Sequence, residues 1–132
     1  MGKENPFDEA RRYLQNAKDL LKNNTTIEDG YYSDSKYVRL AGKTVWKGCL
    51  IAIDAAFKVR EDKRMINGSR LQIEDYISAV SKRDHELSVW VKSGYNHMHL
   101  YMGYDGEKKV TISESAFSTA KDIIDRCENI AE

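Results

Sequence analysis

The stretch Lys92-Ser93-Gly94-Tyr95-Asn96-His97-Met98-His99-Leu100-Tyr101 concentrates side chains able to do chemistry. On an α-helix, spacings of four and three place Lys92, Asn96 and His99 on one face. A cation, a carboxamide and an imidazole on one surface make a phosphate site. The imidazole can take a proton from a ribose 2′-hydroxyl or give one to a leaving oxygen. The lysine can stabilise charge on the phosphate, and such a reaction needs no metal. An ordinary polar helix edge carries the same residue types, so the sequence leaves both readings open.

A second group is aromatic and basic. Tyr31, Tyr32 and Tyr37 crowd together beside Lys36 and Arg39, a combination that stacks and holds nucleic-acid bases. It is also one that folds a long loop onto a helical body. Lys58, Arg60, Lys63, Arg64 and Arg70 form a basic cluster broken by Glu61 and Asp62, as a solvated helix end does. His97 and His99 are two positions apart, about 200° on a helix, and cannot share one ion. With no carboxylate cluster at ligand spacing, neither a metal nor a cofactor is expected. Cys49 and Cys127 fall on apolar stripes and read as packed thiols. Phosphate-loop, dinucleotide and nucleophile-elbow motifs do not occur.

The elements that must position these groups are helices. Asn5 followed by Pro6 is a cap and a first helical residue, with Asp8 and Glu9 in the first turn. Phe7, Ala10, Leu14, Ala17 and Leu21 then share one face, widened by Tyr13 and Leu20. Asn23-Asn24-Thr25-Thr26 ends that helix, and a loop is expected to about Tyr32. A second helix is predicted from Ser33 or Asp34 to about Glu61, with Val38, Ala41, Val45, Cys49, Ala52, Ala56 and Val59 inward. Gly42 and Gly48 inside it cost about 1 kcal/mol each relative to alanine, which close helix packing would offset.

After a loop at Asn67-Gly68, Ser69 and Gln72 read as the capping box of a short third helix carrying Ile73, Tyr76, Ile77 and Val80. Asp84 caps a fourth, continuous to about 103, with Leu87, Val91, Gly94, Met98 and Tyr101 or Met102 inward. Gly103-Tyr104-Asp105-Gly106 is a turn. Thr111 with Glu114 reads as the capping box of a fifth helix that carries Ala116, Ala120, Ile123, Cys127 and Ile130 on its apolar face. Val110-Thr111-Ile112 is strand-like but too short to make a sheet alone. The expectation is an all-α, up-and-down bundle of about five helices, as one domain over residues 1–132.

Composition narrows the function classes. Lys and Arg number 21, and so do Asp and Glu. A chain without basic excess is not expected to bind duplex DNA by phosphate neutralisation. No apolar run approaches a membrane span and the start lacks a secretory pattern, so cytoplasmic residence is expected.

Several segments resemble a known family. Ala10-Arg11-Arg12-Tyr13-Leu14 and Ala17-Lys18-Asp19-Leu20-Leu21 are similar to the opening helix of HEPN domains. Ala52-Ile53-Asp54-Ala55-Ala56 resembles their second helix, and Met98-His99-Leu100-Tyr101 resembles their late His-x-Tyr element. Tyr31-Tyr32-Ser33-Asp34-Ser35-Lys36-Tyr37 and Ala41-Gly42-Lys43-Thr44-Val45-Trp46-Lys47-Gly48 look like a small bacterial family of HEPN-like proteins of unassigned function. The resemblance implies a homodimer with the fourth helix at or near the interface. It implies a binding or accessory module acting on RNA, a nucleotide or a protein partner. Catalytic HEPN proteins cleave RNA with an arginine and a histidine separated by four to six intervening residues. Here Lys92 stands in the arginine's place, with His97 or His99 after it, and lysine lacks the bidentate fork. On the catalytic alternative His99 is the acid/base, Lys92 holds the phosphate, Asn96 orients the substrate and Tyr101 supports the histidine.

Overall fold

A computed structural model describes residues 5–60 and 71–132. The expected Ser69 cap and the basic residues Lys63, Arg64 and Arg70 lie outside them. Among the described residues five α-helices carry the fold: α1 (Pro6–Asn24), α2 (Ser35–Phe57), α3 (Ile73–Ser81), α4 (His85–Gly94) and α5 (Val110–Ala131). A two-stranded hairpin, β1 (Ile27–Glu28) and β2 (Tyr31–Tyr32), lies in the α1–α2 loop. The all-α bundle expected from the periodicity is observed.

α1 begins as its residues dictate, with the Asn5 side chain accepting from the Phe7 amide. It stops where Asn24 and Thr25 turn their side chains back onto the carbonyls of Leu20 and Leu21. Phe7, Ala10, Leu14, Ala17 and Leu21 are all buried. α2 is the central helix, packing against α1, α5 and the segment that continues α4. It ends at Phe57, earlier than the expected Glu61, because Lys58 takes the left-handed conformation (φ 56°) and donates its amide to Asp54 O. Val59 is still buried, beyond the helix.

The glycines of α2 mark two close crossings. A methyl added at Gly48 would fall 2.9 Å from Ala10 O and from Tyr13 Cβ of α1. One added at Gly42 would fall 2.6 Å from Met98 O, Met102 Cβ and Gly103 N. Close packing is therefore what these positions require.

α4 does not end at Gly94 but changes type. Tyr95–Tyr104 winds as a π-helix, ten residues long, whose wider turns bond each amide five residues back. Asp105 N still reaches Leu100 O at its end. The expected single α-helix to 103 is thus corrected at Gly94, where an added methyl would collide with Met98 Cε at 2.7 Å. The wider winding turns Met98, Met102 and Gly103 inward and leaves Tyr101 out, opening the backbone approach that Gly42 completes. α5 begins at Val110 with Lys109 at its cap, two residues before the expected capping residue Thr111, and no side chain caps it.

Asp84 caps α4 as expected, accepting from the Leu87 amide at 3.0 Å and holding Arg126 of α5 at 2.7 Å. Arg126 also bonds Glu86 and lies 4.5 Å from the centre of the Trp90 ring. Burial is the largest single influence on the Asp84 carboxyl and disfavours its charge. The Leu87 amide and Arg126 together outweigh it and hold the group below its usual value of 3.8. A carboxyl whose folded value is depressed adds stability above its unfolded value and loses it as pH falls through the folded one. Asp84→Ala is expected to lower stability at neutral pH by about 1–2 kcal/mol. Urea titrations of the wild type and the variant should converge as pH falls below 3.8 and through the depressed folded value.

Cys49 and Cys127 are buried free thiols, Cys49 with its Sγ 3.7 Å from Met98 Sδ. Burial pushes both thiols up, Cys127 to about 12. Neither should react with a disulfide reagent in the native protein, and both should label in denaturant.

Candidate functional site

The groups singled out in the sequence differ in exposure and in the contacts they make. Lys92 is exposed on the last turn of α4 and Asn96 is half-buried at the start of the π-helix. His97 and His99 have different neighbours. The Nδ1 of His97 lies 2.9 Å from the Ser93 carbonyl, so a neutral ring carries its proton there and leaves Nε2 as acceptor. Tyr101 stands edge-on to His97 with ring centres 5.6 Å apart. His99 instead stacks on Tyr95 at 5.0 Å, in reach of Trp46 at 6.5 Å.

The aromatic group before α2 also divides. Tyr32 is buried, its hydroxyl 2.7 Å from Ser113 Oγ, and serves the core. Tyr37 is half-buried beneath the Lys36 ammonium at 5.4 Å. Tyr31 is exposed and bridges to Lys109. Arg39 reaches the carbonyls of Tyr104 and Asp105 at 3.4 and 3.5 Å, at the end of the π-helix.

What the fold assembles around His99 is a hollow of about 450 Å³ between α2, the start of α3 and the π-helix. Trp46, Tyr76, Tyr95 and His99 line it, together with Lys43 and Lys47. Trp46 is buried and meets Tyr95 edge-to-face at 5.8 Å, so it forms a rigid floor. The Tyr95–His99 stack forms one wall. Burial raises the Tyr76 hydroxyl above its usual value, and the Arg60 charge opposes that. Lys43 and Lys47 are exposed one turn apart on α2, on either side of Trp46 in sequence. Lys47 Nζ also lies 5.7 Å from the Tyr13 ring centre. Lys92, Asn96 and Tyr101 are not among the described residues lining this hollow.

A flat ring can enter such a space against fixed aromatic surfaces while its anionic part meets two ammonium groups. Sequence reasoning found His99 but missed its companions. The signal was present in Lys43-Thr44-Val45-Trp46-Lys47, where two lysines at helical spacing bracket an aromatic residue.

Residues 5–129 match the profile of a domain of unknown function, DUF5618. The chain belongs to the DUF5618 family. A protein of unknown function from Dyadobacter fermentans is similar to this DUF5618 chain at 34% identity, with a TM-score of 0.84 over 98% of each chain. No curated protein matches it. No helix among the described residues is long and apolar enough to cross a membrane, and among them no cluster of His, Cys, Asp and Glu could hold a metal ion.

Proposed function

We propose that this DUF5618 protein is a binding module for a nucleotide unit of single-stranded RNA, taken up in the hollow beside His99. The observation that carries the reading is the union of Trp46, Tyr95 and His99 with Lys43 and Lys47 in one cavity. Stacking on aromatic side chains is tolerant of base identity and contributes about 1–3 kcal/mol per base. Lysines nearby supply phosphate attraction that weakens with salt. Overall neutrality is compatible with this, since a local pair of cations suffices for one or two phosphates. The HEPN-like resemblance supports an RNA or nucleotide ligand and a homodimer. The test is a fluorescence-anisotropy titration with a labelled single-stranded oligoribonucleotide, and saturable binding that falls with salt is expected. A DNA duplex of equal length should bind more weakly.

A second reading makes the same hollow catalytic. His99 is half-buried with its ring at a cavity lined by two lysines, as an acid/base acting at a phosphodiester requires. On this reading Lys43 and Lys47 hold the phosphate in the role the family pattern gives to Lys92, because Lys92, Asn96 and Tyr101 do not line the hollow. RNA cleavage that persists in EDTA and disappears in a folded His99→Ala protein supports this reading. Cleavage unchanged in that variant excludes it.

A further inference from the structure

A second concave surface lies away from His99, between α1 and α5. Hollows of about 550 and 200 Å³ share Gln15 and Lys18 and so form one groove. It runs from Arg11 to Thr25, fourteen residues along α1, or about 21 Å at the helical rise. Its floor is apolar, with Leu14, Leu21 and Ile124 buried. At the hairpin end Ile27 is 59% exposed and lines the groove together with Phe117. A large apolar side chain on a two-residue strand could as well have been polar, since no core needs it there.

The rim decides what fits. Lys18 and Lys22, one turn apart, are exposed and form no ion pair among the described residues. At the far end Arg11 and Lys121 are held by Asp125, and Arg11 also by Glu128. Asp19 faces the same groove, its carboxylate accepting from the neutral Gln15 amide at 3.0 Å and keeping its charge. Two lysines against one carboxylate leave the middle of the rim net positive.

We infer that this groove docks an amphipathic helix of a different protein, one that lays an apolar stripe on Ile27, Phe117 and Leu21 and sets acidic residues against Lys18 and Lys22. Length, an apolar floor between two helices and a positive rim are what the helix-in-groove mode of recognition requires. Charge complementarity at the rim selects the partner's sign and speeds encounter, while the buried apolar anchors hold it. The surface is separate from the aromatic hollow, so the proposal stands whether or not RNA binds there.

The experiment uses the full chain and a stapled helical peptide of four turns, with leucine at every third or fourth position and glutamate flanking. A matched peptide carries lysine in place of glutamate. Calorimetric titration should show the acidic peptide binding at least about tenfold tighter than the basic one, a difference of about 1.4 kcal/mol. Ile27→Asp and the double variant Lys18→Glu/Lys22→Glu should each weaken the acidic peptide by about tenfold or more. Both alter exposed side chains, so an unchanged melting temperature confirms that the fold persists. Equal affinity for the two peptides, no saturable binding, or binding indifferent to these substitutions would overturn the proposal. So would concentration-dependent dimerisation abolished by Ile27→Asp, which would make the groove a contact between two copies of the chain.

Discussion

Gly42→Ala should destabilise the protein by about 3 kcal/mol, a severe loss for one added methyl. Overpacking usually costs about 1–3 kcal/mol, with the upper end reached where neighbours cannot yield. Here two of the three atoms met at 2.6 Å, Met98 O and Gly103 N, are backbone of the π-helix. Retreat of that segment would also move His99, which stacks on Tyr95 a turn before Gly103. A chain of this size has about 5–15 kcal/mol of total stability, so a single methyl should remove a large share. Urea denaturation followed by circular dichroism measures it. An alanine tolerated within 0.5 kcal/mol would mean that the α2–π crossing is looser than described.

The second large effect concerns binding. Lys43→Glu/Lys47→Glu places two negative charges at the mouth of the hollow and should reduce affinity for the single-stranded oligoribonucleotide by about 30-fold or more at low salt. Each cation that meets a phosphate also adds to the salt dependence of binding. The variant's remaining affinity should therefore vary less steeply with salt. Both side chains are exposed, so the fold should survive. His99→Ala removes one member of the stack and should cost about tenfold, in the lower part of the range for an aromatic base contact. A double charge reversal with undiminished affinity would place the RNA elsewhere.

Much of the fold was legible because helical burial repeats every three to four residues. Phe7 to Leu21 were named from spacing alone, and each is buried. Asp84 was readable as a cap because a short acceptor before an apolar run satisfies otherwise orphaned amides. The π-helix was not legible. The pattern Leu87, Val91, Gly94, Met98 continues into it without a break, and only the choice between Tyr101 and Met102 hinted at a change of winding. Met102 proved the buried one and Tyr101 the exposed one.

The site was harder, because its parts come from three elements. His99 was legible as chemistry within one segment. Its neighbours Trp46, Lys43 and Lys47 stand about fifty residues earlier, on α2, and only the crossing at Gly42 brings them alongside. Tyr32 illustrates the converse. Its neighbours in sequence suggested a stacking surface, whereas its hydroxyl meets Ser113, far along the chain on α5, inside the core.

The two tryptophans stand in different places and provide an internal comparison. Trp46 floors the aromatic hollow, whereas Trp90 lies beneath Arg126 on α4. Two-dimensional NMR of the labelled protein, titrated with a short single-stranded oligoribonucleotide, reads the two indole N–H signals separately. A saturable shift of Trp46 is expected, accompanied by Tyr95 and His99, while Trp90 stays fixed. Shifts confined to other surfaces, or none at millimolar ligand, would contradict it.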